Sequence, residues 1–575
     1  MKTANVGASV AMPRMAGALR HHGPISGVAA CGSYVATAGY DNQLILWDGR
    51  TRTALSRALH DHLVNHCAFN SDGTLVVSAS SDYSARIWET PDLRLKAALV
   101  GHTDDVDMAV FSPDDSRVAT CALDRTVRVF DVEGRCLAEL HGHSGNILCV
   151  AWSADGSRLV SSSVDGTVRE WEVHAGRQLR CHVLDVRTDT VEIHSDGRIF
   201  AGDDRGRIVI IAGDVLTATQ AHEAGIKKIV LDEASGTLVT LSYDRDVAVW
   251  NLPAGGQPRE VSRSTFPPEV WARSGAITRD NLLAVGTFGS TYALYDWRGD
   301  RWDMEGVFAG AGLNSVAVAD GQIHAVGDAG VVLGDGEVIA SLGSLCNFVV
   351  GWSSMLLAGG QLGQLFDART GKVLHQHRSP LNCAAAFVRD GVPHLAVGTY
   401  TGEALFFRMT GDGAVELAAT RQVFSNAIKG IAVNAGTIFS VCASTAVAWH
   451  RIDDLGLLRR VPNAHERIAN ACCAAGSHGF ASVGRDRKLR LWNADGTEVY
   501  LTPHPKSVKC IAASADHRTL MTGSYAGTLA AFDMDTRAWR SFSRPTAAGI
   551  SSLAYDPKRG GFLASSYDGN VYFAA

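Results

Sequence analysis

HSGNILCVAWSADGSRLVSSSVDGTVREWE, residues 143 to 172, decides the fold. "NILCVAW", an apolar run that follows Asn146, reads as a strand. "SADG" is a turn, "RLVSSS" a second strand, "VDG" a second turn, and "TVREWE" a third strand that carries Trp171. A Gly-His pair opens the unit and a Trp-acidic pair closes it.

The unit recurs. Marking the residue that falls where Trp171 falls gives Trp47, Trp88, Phe130, Trp171, Ile211, Trp250 and Tyr295. The series continues near Val332, then Phe366, Phe407, Trp449, Trp492, Phe532 and Phe573-Ala574. A step of about forty residues with three or four short strands per step is the signature of propeller blades. Six marks carry an aspartate six residues upstream: Asp41, Asp82, Asp124, Asp165, Asp244 and Asp486.

On these residues the chain resembles the WD-repeat (WD40) family. Gly-His stands in "GHTDDV" and "GHSGNI", with relaxed forms in "HHGPIS", "HDHLVN", "AHEAGI" and "AHERIA". The closing pairs are Trp47-Asp48, Trp88-Glu89 and Trp171-Glu172, with Phe130-Asp131 as a variant. The resemblance is strongest over 22–250 and 465–575 and weakest over 296–450. It implies an all-β fold of two tandem seven-bladed propellers, fourteen blades in all. The expected domains are residues 1–298 and a partly degenerate 299–575. Closed rings remove exposed sheet edges. An outer strand near 14–20 is expected to close ring one, and one near 300–309 ring two. A crossing near 252–275, with ring one borrowing its last blade from the C-terminus, is the alternative.

The resemblance also implies a hydrogen-bonded set in each good blade. These sets are His22, Thr37, Asp41, Trp47; His62, Ser78, Asp82, Trp88; His143, Ser161, Asp165, Trp171; His222, Thr240, Asp244, Trp250; and His465, Ser482, Asp486, Trp492. The third blade has His102, Thr120 and Asp124 but Phe130. A Ser-His-Asp constellation suggests a catalytic triad, but a catalytic site is one place and this set repeats in six blades. Blade five has Arg205 and Ile211 at the Asp and Trp positions, and blades seven to eleven have lost the polar set.

Composition narrows the function. The chain has 575 residues, 59 Gly and a net charge of −6, which argues against a nucleic-acid partner. No apolar run reaches the ~18–20 residues of a membrane helix. The N-terminus makes a poor signal peptide. Twelve cysteines without a CxxC pair read as reduced thiols in a cytoplasmic protein, with no metal or other cofactor. "HQH" at 375–377 offers two histidines and no third ligand. No P-loop, HExxH or GxSxG is present.

The residue before the turn aspartate is often large: Tyr40, Tyr243, Phe288, Tyr400, Arg485, Tyr525 and Tyr567. The resemblance places this position on the top face around the channel, and Tyr and Arg dominate interface hot spots. Packing over its own turn is the plainer role for each. The expected function is a non-catalytic scaffold for protein or peptide partners. The alternative is a small-molecule or enzymatic site in the ring-two channel, lined by His324, Asp328, Tyr400 and Arg485.

Overall fold

The computed structural model describes residues 3–9, 19–253, 255–443, 445–493 and 496–575. Its strands form fourteen four-stranded antiparallel sheets. Each sheet is a meander in which short turns join neighbouring strands, the local solution for antiparallel pairing. The burial patterns follow position in the blade. The second strand of blade four, Arg158–Ser163, is buried at five of its six residues, because blades cover both of its faces. The outer strand Ala54–Leu59 alternates between exposed and more buried positions, so only one face meets the core.

The chain forms two compact units, divided between Gly310 and Ala311. In the first, the innermost strands of blades one to seven follow one another in a closed circuit, from Ile25–Cys31 round to Val270–Ile277 and back. In the second, the circuit of blades eight to fourteen runs from Leu313–Ala319 to Ile550–Asp556 and closes likewise.

The closing strands are the reverse of the expectation. Blade seven takes its outer strand from Arg301–Asp303, which pairs with Ala293–Asp296. Blade fourteen takes its outer strand from Thr3–Ser9, which pairs with Asn570–Ala574. The Asp296 carboxylate caps the turn by accepting from the backbone N–H groups of Arg298 and Gly299. The chain thus folds straight back on its own sheet, and a short loop closes at the least entropic cost. The expected strand near 14–20 lies, for residues 14–18, outside the described residues. The boundary at 298/299 moves accordingly, and Thr3–Ser9 belongs with the second unit.

Three repeat marks also shift. Pairing sets His450, not Trp449, opposite Ile438, the register of Trp47 opposite Val35. In blades eight and nine, Asp335 and Ala368 hold that register through backbone bonds to Ile323 and Leu356, in place of Val332 and Phe366. No helix among the described residues is long and apolar enough to cross a membrane.

Candidate functional site

The repeated polar sets sit inside the blades. In blade four, His143 Nδ1 lies 2.9 Å from Asp165, and its Nε2 lies 2.8 Å from Ser161 Oγ. The Trp171 indole N–H donates to the same Ser161 hydroxyl at 2.8 Å. The hydroxyl oxygen receives the indole proton while its own proton faces the imidazole, so the Ser161 hydroxyl, the imidazole and the indole N–H are all satisfied. Burial works to raise the Asp165 carboxyl, but hydrogen bonds from His143 and Thr167 outweigh it and hold it below the usual range. Blades six and twelve repeat the arrangement around His222 and His465. Blade three does so around His102, without an indole.

In two blades a neighbouring histidine takes the expected place. His21, not His22, bonds Asp41 and Thr37 at 3.0 and 2.7 Å. His60, not His62, bonds Asp82 and Ser78 at 2.9 and 2.7 Å. A spacing of 22 residues from histidine to aspartate holds in blades two, three, four and six. That spacing alone selects His60. Blade thirteen holds a set the sequence reading missed: His504 bonds Thr522 and Thr528 at 2.8 and 2.7 Å, with no aspartate. In blade five the Asp203 carboxylate accepts from Arg207 at 2.7 Å.

A second feature is common to all fourteen blades. The backbone N–H of the residue before the turn aspartate position donates to the carbonyl just ahead of the blade's first strand, at 2.7 to 3.2 Å. Tyr40 donates to Pro24, Tyr243 to Gly225, Phe288 to Glu269, Tyr400 to Pro380, Arg485 to Ile468, Tyr525 to Ser507 and Tyr567 to Gly549. All seven candidate residues therefore occupy equivalent places in two collars, one per ring. Asp204 and Asp328 hold the same place in blades five and eight, through Arg187 and Gly312.

The collars are packed rather than bare. In ring one the Tyr40 ring meets Trp271 edge-on at 5.3 Å, and Trp271 stacks on Phe288 at 5.4 Å. Phe288 is buried. The Lys227 ammonium lies over Tyr243 at 4.7 Å. In ring two Lys429 lies over Tyr400 at 5.1 Å, and Tyr525 stacks on Tyr567 at 6.5 Å. Arg485 is half-buried.

Ring one also holds a charged cluster that the sequence reading did not identify. Lys227 Nζ donates to Asp189 and Asp204, each at 2.6 Å, and Arg187 donates to Asp189 at 2.6 Å. Arg273 pairs with Asp107 at 3.3 Å and spreads over Trp271 at 5.7 Å. Burial disfavours the Asp189 charge, but Arg187 and Lys227 outweigh it and hold the carboxyl low. Asp204 is raised by burial, which Lys227 only partly offsets.

Three of the four expected linings of the ring-two channel share its collar, and His324 lies apart from them. Asp328 is a collar residue, as are Tyr400 and Arg485. His324 lies four residues back along its strand, against Gly334 and within the fields of Arg369 and Asp335. Of the "HQH" pair, His377 faces the Glu403 carboxylate at 3.4 Å. Among the described residues no group of three or more His, Cys, Asp or Glu side chains could hold a metal.

The family model for the WD domain, G-beta repeat, matches residues 15–48, 54–89, 93–131, 134–172 and 497–533. The chain is 36% identical over 105 residues to WD repeat-containing protein 37 of Mus musculus, covering 18% of this chain and 21% of that protein. It is 31% identical over 319 residues to transducin beta-like protein 3 of Bos taurus, covering 50% and 34%. It is 40% identical over 87 residues to THO complex subunit 3 of Arabidopsis thaliana, covering 13% and 26%. The chain thus spans between about a fifth and a third of the length of these relatives.

Proposed function

This chain is a WD40-repeat protein, and on that premise we propose that it is a non-catalytic scaffold whose two collars bind protein or peptide partners. The observation that carries the reading is the collar itself. One backbone bond recurs in fourteen blades, while the side chains it presents differ from blade to blade. A constant frame with varied aromatic and charged side chains is how a repeat fold presents distinct surfaces. The repeated His-Ser/Thr-Asp sets hold blades together, since the same hydroxyl that meets the histidine is claimed by the indole. The THO complex subunit among the relatives is named for an assembly, which fits a place in a hetero-complex.

The partners of this reading are proteins or peptides, rather than nucleic acid or membrane. A cytoplasmic location goes with it, supported by twelve free thiols. The test is affinity capture with paired substitutions. Tyr40→Ala with Tyr243→Ala, or Tyr400→Ala with Arg485→Ala, is expected to remove partners that the wild-type protein retains, with folding intact. Partners that survive both pairs overturn the reading.

A further inference from the structure

We propose that the collar of the C-terminal ring contains a cation-accepting site centred on Asp328, which takes the ammonium group of a lysine side chain in a bound peptide. The proposal deepens the scaffold reading and rests on it for the peptide.

The argument is a comparison of two equivalent places. Asp204 and Asp328 are both collar carboxylates, fixed by the same backbone bond. Around Asp204 stand Arg187 just ahead of the first strand, Asp189 second in that strand, and Lys227 second in the next blade's first strand. Lys227 reaches the Asp204 carboxylate at 2.6 Å. Around Asp328 the same three positions are Gly312, Asn314 and Asn347. Both cations are gone and the carboxylate remains.

No cation among the described residues replaces them. Asn314 donates to Asp328 Oδ1 at 2.8 Å, while Oδ2 accepts no hydrogen bond from the described residues. Asn347 is turned away and donates to the Leu381 carbonyl. Among the described residues no lysine or arginine acts on Asp328, and burial pushes its carboxyl up, to about 7. The titratable neighbour that Asp328 acts on, the Tyr567 phenol, is neutral, since burial, Tyr525 and Asp328 all raise it. Gly312 keeps the space beside Oδ2 open, because a Cβ there would lie 2.7 Å from that oxygen. A buried carboxylate without a counter-charge is costly, and an ammonium in hydrogen-bond reach repays the cost. Tyr567, stacked on Tyr525, adds aromatic surface of the kind that attracts cations.

The probe is the peptide acetyl-Gly-Lys-Gly-amide, with its norleucine analogue as the neutral control, read by saturation-transfer NMR on the full chain. The lysine stays charged from pH 5.5 to 8 while Asp328 ionises, so transfer to the lysine methylenes is expected to rise by about tenfold across that window. The norleucine peptide should show none, and Asp328→Asn should abolish the signal at both pH values. Asp328→Ala guards against a misfolded first variant. Absence of transfer in the wild type, transfer independent of pH, or transfer surviving in a folded Asp328 variant overturns the proposal. The scaffold reading fails separately, when captured partners survive the collar substitutions, so the two failures are told apart.

Discussion

Asn314 donates one hydrogen bond of 2.8 Å to the carboxyl of Asp328 and another of 3.1 Å to the carbonyl of Cys346 in the next blade. One amide thus ties a collar carboxyl to the seam between two blades. Equivalent amides span other seams: Asn65 reaches the Val106 carbonyl, Asn347 the Leu381 carbonyl and Asn470 the Val508 carbonyl. The seam bonds recur, but among the described residues only at Asp328 does the amide also serve as the sole donor to a buried acid.

Stability should therefore fall as pH rises past Asp328. Its folded pKa, about 7, lies above the ordinary 3.8. The contribution is fully present below pH ~4 and is lost as pH rises through ~7. The whole span is worth on the order of a few kcal/mol. Asp328→Asn should flatten this slope and raise the denaturant midpoint at pH 8, measured by urea unfolding between pH 5 and 8.5.

At the acid end the sign is opposite. Burial works to raise Asp486, but hydrogen bonding and charge from His465 and Arg490 bring it down to about 2. Its contribution is present above pH ~4 and fades as pH falls toward 2. Asp486→Asn should destabilise the protein at pH 7 and shrink the difference from wild type by pH 2.5, measured by urea midpoints at the two pH values.

Blade thirteen can be given the aspartate it lacks. Ala526 follows collar residue Tyr525, and its N–H donates to Ser524 as the Asp165 N–H donates to Ser163. Burial lowers His504 to about 4. Ala526→Asp should place a carboxylate beside Nδ1 and raise that value by one unit or more. Imidazole shifts followed by NMR against pH give the answer.

Within blade four the indole and the serine hydroxyl act as a pair. Trp171→Phe should cost about 1–3 kcal/mol, through lost apolar area and the unmet hydroxyl. Blade three already runs with Phe130 at that place. In a Ser161→Ala background the same change should cost about 1 kcal/mol less, as a double-mutant cycle would show.

Removing residues 3–9 should weaken the second ring at one sheet. Asn570–Ala574 pairs with that strand, so its outward amides should lose hydrogen-exchange protection. Amides in the first strand of blade one, Ile25–Cys31, should keep theirs, because blade seven is closed by Arg301–Asp303.

The fold was legible wherever one rule repeated. Six aspartates at a fixed distance from an aromatic residue named the blades, and the collar followed from their neighbours. Doubled histidines blurred the rule, since His21 and His22 both fit the motif and only the ring chosen by Thr37 settles it. The closing strands were misread because the stretch near 300–309 was assigned to ring two, whereas the short Asp296 turn folds it back on blade seven. The ring-one cluster was invisible because Arg187, Asp204 and Lys227 come from two blades and meet only when the ring closes.

The most direct test of the scaffold account is hydrogen exchange on the protein with a captured partner bound. The account predicts new protection at the turns holding Tyr40, Tyr243, Tyr400 and Tyr525, with little change along the outer strands. Protection confined to outer strands such as Ala54–Leu59 and Leu457–Val461, with the collar turns unchanged, would contradict it.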